Sequence, residues 1–295
     1  MRGAERLLAL CLVAGLTAGA AGAASPDDAP LEPRLRLFPS AAERLSSPLN
    51  DDFPPAEPPE FSLLERRPTW WDRLGNLTQG RVQIEGGYVL TYDRLPGVNV
   101  YEHAVPDLLL RVGLTERLEV RIGWPGLLWT RVDGEGTTSQ TLDPNVGFML
   151  DLWPQRGWRP QTAVLAAVPV TLQGDPFALD SLQPLTQLLY LWQLSDRWSI
   201  GGTTGAALFE LDGDRFVEFQ QTVSADCLLL PRLGTFVEWN MLVDHGSAED
   251  GSEHMLGGGF SLLVIDRFQA TWRVAMGLNP RAPDFLTGIR CAVRF

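Results

Sequence analysis

Residues 107–124 alternate between polar and apolar side chains with almost no interruption. From residue 117 onward the polar or small residues are Arg117, Glu119, Arg121 and Gly123, and the apolar ones are Leu118, Val120, Ile122 and Trp124. A period of two is typical of a β-strand with one polar and one apolar face, whereas a helix would mix the two sets. Residues 107–114 alternate in the same way, and only Thr115-Glu116 separates the two runs. The stretch therefore predicts a tight β-hairpin.

The same alternation recurs along most of the chain after Gly80. We predict about twelve strands, each close to the roughly 9–11 residues that a tilted strand needs to cross a bilayer. They span residues 81–92, 107–114, 117–129, 143–153, 160–172, 184–194, 197–209, 215–229, 234–243, 254–264, 267–277 and 284–295.

The connections between these runs fall into two alternating classes. The short ones are Thr115-Glu116, residues 154–159, Ser195-Asp196, residues 231–233 and Ile265-Asp266. The other class comprises residues 93–106, 130–142, 173–183 and 244–253, with shorter members at 210–214 and 279–283. A soluble sandwich or a lipocalin-like barrel also alternates, but short turns at one end and long polar loops at the other are typical of an outer-membrane barrel. We therefore predict an all-β fold, an antiparallel up-and-down transmembrane β-barrel.

In such a barrel the two faces of the predicted strands lie in different environments. The apolar face meets outer-membrane lipids, and aromatic residues near the strand ends form the girdles expected at the interfaces. The polar face lines a lumen that we expect to be polar and partly closed by its own ion pairs. The charged residues predicted to line it and set its selectivity are Glu85, Arg111, Arg117, Glu119, Arg121, Asp143, Glu218, Glu238, Arg273 and Arg290.

The chain before the barrel has a different composition. Arg2 and Arg6 precede an apolar run, and Ala21-Gly22-Ala23 offers a cleavage site, so residues 1–23 are predicted to be a signal peptide. Residues 24–80 are rich in proline with little contiguous apolar sequence, which predicts a disordered periplasmic leader. The barrel is assigned to residues 81–295, and the protein to the cell outer membrane.

Several other chemistries are disfavoured by the sequence. A net charge of −12 argues against a nucleic-acid partner. His245-Gly246-Ser247, with Glu249 or Glu253 nearby, has the His-x-Ser spacing of outer-membrane lipid deacylases, but it lies in an acidic loop without a rigid scaffold. Gly257-Gly258-Gly259 lies within a strand and is not a phosphate loop. We predict no enzymatic activity, no cofactor and no metal site.

The hairpin from Arg111 to Arg121 resembles a known family. It matches the pattern Arg-x-Gly-Leu-Thr-x-Arg-x-Glu-x-Arg of the outer-membrane transporter-like β-barrel proteins associated with the meta-cleavage pathway of phenol degradation. Residues 192–202 and 279–295 are similar in style, so the resemblance extends over residues 81–295 and excludes the leader. It implies an outer-membrane barrel that passes small organic solutes, including aromatic ones, and it supplies no catalytic residues.

Phe295 ends the last predicted strand on its apolar face, in register with Ile289 and Val293. A terminal aromatic residue in this position resembles the signal that the barrel assembly machinery reads, so we predict that machinery as a partner.

The expected function is a channel or transporter for a small-molecule solute, with aromatic organic compounds as candidates. Two alternatives stay open: a closed barrel with a structural or surface-binding role through its extracellular loops, and a lipid hydrolase at the rim.

Overall fold

The computed structural model describes residues 44–46, 72–73, 77, 79–95, 97–170, 183–211, 214–246 and 251–295. The predicted signal peptide and most of the predicted leader lie outside these ranges. No helix within them is long and apolar enough to cross a membrane. The strands are β1 (Arg44–Ser46), β2 (Asp72–Arg73), β3 (Val82–Leu95), β4 (Val98–Val105), β5 (Leu108–Gly113), β6 (Leu118–Trp124), β7 (Leu127–Val132), β8 (Gly136–Thr141), β9 (Asn145–Trp153), β10 (Gln161–Pro169), β11 (Leu185–Gln193), β12 (Trp198–Leu211), β13 (Asp214–Leu230), β14 (Leu233–His245), β15 (Gly251–Ile265), β16 (Phe268–Gly277) and β17 (Phe285–Arg294).

Strands β3–β17 form one antiparallel sheet that closes on itself. The last strand, β17, pairs with β3 from Phe285 opposite Tyr92 to Arg294 opposite Gln83. At the end of this seam the Phe295 amide donates to the Val82 carbonyl over 2.8 Å. Counted around the ring, the barrel has 12 strands, which confirms the predicted fold and strand number.

Three of the twelve barrel strands are each made of two segments. β3 pairs with β5 along its first part and with β4 along its last part, so β4 and β5 act as one strand that is interrupted around Pro106. The pairs β6–β7 and β8–β9 are interrupted at the same level. At this level Gly126 has φ +88°, and a Cβ there would lie 2.5 Å from the Pro106 carbonyl oxygen. The neighbouring interruptions therefore pack against each other.

Two of the predicted long loops are in fact strands. β3 and β4 form a hairpin through residues predicted as the loop 93–106, and β7 and β8 do so through the predicted loop 130–142, with its turn at Asp133-Gly134-Glu135. The apolar alternation used for the prediction stops here because these segments have no lipid to face. The predicted loop 244–253 is also shorter than expected, since β14 continues to His245 and β15 begins at Gly251. Most of the predicted loop 173–183 lies outside the described residues.

The two faces of the wall confirm the inside-out arrangement. Large apolar side chains are exposed on the outer surface around the ring, among them Ile84, Ile122, Phe148, Phe219, Phe260, Trp272 and Ile289. Charged residues on the opposite face are buried, and Arg121, for example, is 3% exposed. A soluble protein would place these two sets the other way round, so the lipid-facing barrel is the architecture that these residues satisfy.

Candidate functional site

The barrel interior collects most of the charged residues that were predicted to line a lumen. Side chains buried there are Glu85, Arg111, Glu119, Arg121, Glu218, Glu238, Arg273 and Arg290. Arg117 is not among them: β6 begins at Leu118, so Arg117 lies in the exposed turn before the strand, and its amide donates to Thr115 Oγ1 over 3.2 Å. Asp143 is half-buried in the interruption between β8 and β9.

Glu119 is the centre of one interior ion network. Arg111 and Arg121 face each other on β5 and β6, where two like charges would repel. The Glu119 carboxylate separates them: it accepts from Arg111 Nε over 2.7 Å and from Arg111 Nη2 over 2.9 Å. Arg121 Nε lies 2.7 Å from the same carboxylate. Glu119 and both guanidinium groups are almost completely buried. Their mutual attraction offsets the free-energy cost of removing the three charges from water.

The network continues across the seam where the barrel closes. Arg111 Nη1 lies 3.5 Å from Glu85 Oε1, and Arg290 Nη1 lies 3.9 Å from Glu85 Oε2. Arg290 also contacts the Asp107 carboxylate through its Nη2. Asp107 was missing from the predicted lining although it begins an alternating run; it precedes β5 and lies inside the strand interruption. With it, the network holds equal numbers of arginines and carboxylates.

A second ion pair lies on β14 and β16. Arg273 Nη2 is 2.5 Å from Glu238 Oε1, and both side chains are 0% exposed. The intervening strand β15 supplies the space through glycine. A Cβ at Gly257 would lie 3.2 Å from Glu238 Oε1, and one at Gly259 would lie 2.9 Å from the Phe236 ring. The glycine run therefore serves close packing inside the wall.

The interior of β9–β12 buries uncharged polar side chains, among them Gln187, Ser199 and Thr203. Beside them it contains an apolar cluster, which the predicted polar lumen did not include. Its buried side chains are Met149, Ala163, Leu165, Leu185, Leu189 and Ala207, with Leu191 and Phe209 packed against them. The sequence contains the signal for this difference: residues 163–168 are all apolar, so both faces of β10 are apolar and the strict alternation is lost. We call these eight residues the apolar wall, and the two ion networks the ionic wall. Arg121 Nη2 reaches Met149 Sδ over 3.4 Å and joins the two.

A second apolar layer crosses the interior toward the ends of the strands that are remote from the chain termini. Its members are Val89, Ala104, Leu128, Leu142, Leu242, Met255, Ala275, Ala282 and Leu286. Ala282 belongs to the β16–β17 connection, so this connection folds inward. The layer is therefore built from β3, β4, β7 and β14–β17 with the connections beside them.

Beyond that layer, β4, β7 and β8 rise above the hydrocarbon region. β8 is entirely polar or glycine and mostly exposed, which is incompatible with contact to acyl chains. Register places Glu102 beside Thr130, which lies opposite Thr138 of β8. Burial, followed by the nearby charge of Asp93, raises the pKa of Glu102 well above its ordinary value, and a hydrogen bond from Thr130 partly opposes this.

The residues of the suggested rim hydrolase lie partly outside the described part of the chain. His245 is exposed at the end of β14, and Ser247 and Glu249 lie outside the described residues. A different pair is formed on the outer face of β15, where Ser252 Oγ lies 3.0 Å from His254 Nε2 and the His254 ring stacks on Trp239. Asn279 bonds the backbone of both, accepting from the His254 amide and donating to the Ser252 carbonyl. Across the described part of the chain, no group of three or more His, Cys, Asp or Glu is placed to hold a metal ion.

A protein-family model described as "Putative MetA-pathway of phenol degradation" matches residues 74–295, which include the entire barrel. The chain belongs to this family. The match confirms the resemblance found in the Arg111–Arg121 hairpin and extends it over all the strands of the ring. No curated protein sequence matches the chain.

Solved structures similar to this member of the phenol-degradation family match it at low identity. The NanC porin is 9% identical, with a TM-score of 0.45 and coverage of 72% of this chain and 98% of NanC. The CymD monoaromatic hydrocarbon channel is 11% identical, with a TM-score of 0.40 and coverage of 74% and 89%. The KdgM porin, solved with disordered oligogalacturonate, is 8% identical, with a TM-score of 0.43 and coverage of 72% and 98%.

Proposed function

We propose that this outer-membrane barrel is a channel for small, uncharged organic solutes, with aromatic compounds as the preferred class. The observation that supports it most strongly is the two-sided interior, in which the apolar wall of β9–β12 faces a charge-balanced ionic wall. Membership of the phenol-degradation family points to the same class of solute.

The ionic wall argues for uncharged solutes. Each of its arginines lies close to a carboxylate, so the fields of the two signs largely cancel at a distance. The barrel strands also bury six further carboxylates, so the lumen as a whole has an acidic excess that disfavours anions: Asp93, Glu102, Glu218, Asp226, Asp244 and Glu253. We therefore assign the ionic wall the role of a polar surface that offers hydrogen bonds to neutral solutes.

The apolar wall supplies the other part of the preference. An aromatic ring that moves from water onto apolar side chains gains about 25 cal/mol for each Å² that it removes from water. A phenol can meet Leu165 and Leu189 with its ring and the ionic wall with its hydroxyl group. A sugar of similar size gains little on the apolar side.

Electrophysiology tests this proposal. The mature protein, refolded into a planar lipid bilayer, should give discrete ionic currents that a neutral phenol blocks and glucose does not. In the double variant Leu165→Asn with Leu189→Asn, the phenol block should weaken about tenfold, which corresponds to ~1.4 kcal/mol of lost contact. The matched control, Leu165→Met with Leu189→Met, keeps the volume and the apolar character of both side chains. Phenol should block its current as it blocks that of the unchanged protein. A protein that inserts but never conducts would overturn the transport function.

One observation favours a second candidate function. Apolar and ionic clusters occupy parts of the interior, so the barrel can also act as a closed support for its outer hairpins, β3–β4 and β7–β8. Shortening the β7–β8 hairpin would then abolish surface binding by cells that carry the protein, whereas Arg121→Ala would leave binding unchanged. The same two variants distinguish a channel from a closed support. Arg121→Ala should alter the current if the protein is a channel, and it should leave surface binding unchanged if the barrel is a closed support.

We also propose that the barrel assembly machinery recognises the Phe295 end of the chain. The support is positional: the Phe295 ring is 59% exposed beside the closing seam. Phe295→Ala should lower the amount of assembled barrel in outer membranes, and Phe295→Tyr, which keeps an aromatic ring, should not.

A further inference from the structure

The connection between β9 and β10 is folded into a tight turn with two arginines at its base. The Arg156 amide donates to the Arg159 carbonyl over 3.0 Å, and the Arg159 amide donates to the Arg156 carbonyl over 3.1 Å. Gly157, with φ +57°, and Trp158 form the turn between them. The two arginines therefore lie directly opposite each other, a position in which like charges destabilise a pair of strands.

Hydrogen bonds to β11 hold this turn in place. Trp192 Nε1 donates to the Trp158 carbonyl over 2.8 Å. The Gln155 side chain bonds the Gln193 backbone twice, donating to the carbonyl over 3.1 Å and accepting from the amide over 2.6 Å. Trp192 shares the outward face of β11 with the exposed Leu188, so the turn lies against the lipid-facing side of the wall.

Exposed tryptophan side chains surround the turn. Trp158 is 89% exposed, Trp153 at the end of β9 is 39% exposed, and Trp198 at the start of β12 is 52% exposed. Tryptophan favours the headgroup level of a membrane, where one part of its ring system meets acyl chains and the N–H meets water. The short turns of an outer-membrane barrel face the periplasm. This corner of the barrel therefore lies at the headgroups of the periplasmic leaflet.

The two arginines carry positive charge that the surrounding protein does not neutralise. Residues 154–160 contain no Asp or Glu, although the chain as a whole has a net charge of −12. Within the described ranges neither Arg156 nor Arg159 forms an ion pair, and both are exposed. The Arg159 guanidinium lies over the Trp153 ring, 5.5 Å from its centroid. Arg232, in another turn at the same end, is by contrast paired with a carboxylate.

We propose that the β9–β10 connection is a docking site for the phosphate of an anionic phospholipid in the periplasmic leaflet, with Arg156 and Arg159 on either side of the phosphate and Trp158 in the interface beside it. A phosphate fits because its oxygens accept the paired N–H groups of a guanidinium, and because its charge relieves the repulsion between the two arginines. The site lies on the outer surface, so it goes beyond the proposed channel function and does not depend on it.

Native mass spectrometry of the mature barrel in detergent tests this site with two lipids, phosphatidylglycerol, which is anionic, and phosphatidylcholine, which is zwitterionic. The unchanged protein should bind phosphatidylglycerol more tightly. The double variant Arg156→Gln with Arg159→Gln should weaken phosphatidylglycerol binding about twentyfold, because each basic residue near an anionic lipid surface contributes a factor of about five. Phosphatidylglycerol binding that is equally tight in this variant would overturn the docking site.

A matched control separates the site from a general effect of charge. Arg232→Gln with Arg267→Gln removes the same two charges from other short turns at the same end, and it should leave phosphatidylglycerol binding unchanged. An equal loss in this control would show that any arginine at this end suffices, which contradicts a specific site. Glycerol phosphate, which lacks acyl chains, should not displace the lipid at equal concentration; displacement would mean that the turn binds free phosphate esters and would rule out lipid docking.

The mobility difference between unboiled and boiled samples on gels verifies that each variant forms a closed barrel. If the double variant does not close, the single variants Arg156→Gln and Arg159→Gln replace it. Each should weaken phosphatidylglycerol binding about fivefold, and an unchanged affinity in both would equally refute the proposal.

Discussion

The two walls of the interior achieve burial by opposite means. The ionic wall places arginines and carboxylates at 0–7% exposure and relies on the ion pairs between them. The apolar wall excludes water with Leu, Ala and Met side chains that need no partners. A buried ion pair is sensitive to the loss of either member, because the survivor is left as an uncompensated charge, whereas an apolar wall loses stability in proportion to the volume removed. The ionic wall should therefore control specificity, and loss of one of its charged side chains should lower the unfolding free energy sharply. Truncations in the apolar wall should lower it in proportion to the volume removed.

The largest effect is expected on the ionic wall. Arg273→Met leaves the Glu238 carboxylate buried without its partner, which should cost about 3–5 kcal/mol of unfolding free energy. The double variant Arg273→Met with Glu238→Gln removes both charges and should recover most of the loss. Urea unfolding in detergent, followed by the mobility difference between the folded and boiled protein on gels, measures both. An equally unstable double variant would contradict the charge explanation.

The apolar wall should respond less. Leu189→Ala removes buried volume from a packed cluster and should cost about 2–4 kcal/mol, depending on how far Leu165 and Leu185 collapse into the space. Leu189→Met is the volume-conserving control and should cost less than about 1.5 kcal/mol. The same unfolding assay applies. A loss for Leu189→Ala as large as that for Arg273→Met would remove the distinction between the walls.

Glu102, on the β3–β4 hairpin, should make the stability of the folded protein depend on pH. Because the pKa of Glu102 is raised in the folded protein, the folded state holds this proton more tightly than the unfolded chain does. The stabilisation is complete below the ordinary glutamate pKa and is lost as the pH rises through the folded value. Glu102→Gln should therefore reduce the fall in the unfolding midpoint between acidic and neutral pH. An unchanged pH profile in this variant would show that Glu102 does not carry the dependence.

The smallest effect is expected from an exposed ion pair. Arg232 Nη2 lies 2.6 Å from Asp266 Oδ1, a distance close to that of the Arg273–Glu238 pair, but the two side chains are 52% and 66% exposed. Arg232→Met should change the unfolding free energy by less than about 1 kcal/mol, because solvent screens the pair. Its comparison with Arg273→Met isolates burial as the cause of the larger loss.

Prediction from the sequence succeeded where lipid imposes a periodic pattern. The residues from Leu118 to Trp124 must alternate because one face meets acyl chains, and the predicted strand is present there, with Glu119 and Arg121 buried on its inward face. Prediction failed where that constraint ends. The β4 and β8 segments were taken for loops because they rise above the lipid, and Arg117 continued the alternation by one residue beyond the start of β6.

The interior was harder to predict than the wall. Which face of each strand is polar can be read locally, but which polar groups meet depends on strands far apart in the chain. Arg290 reaches Glu85 and Asp107 only because β17 closes onto β3. The same holds for the Leu77 amide, which donates to Glu119 Oε2 over 2.9 Å across 42 residues of sequence.

The sequence by itself determined the inside-out barrel, its 12 strands and the identity of the lipid-facing side, because these follow from a period of two repeated along the chain. Only the tertiary structure decided how the lumen is divided: an ionic wall assembled across the closing seam and an apolar wall on the opposite strands. Alternation specifies the direction of a side chain, whereas its partner depends on closure and register, which bring distant residues within contact distance.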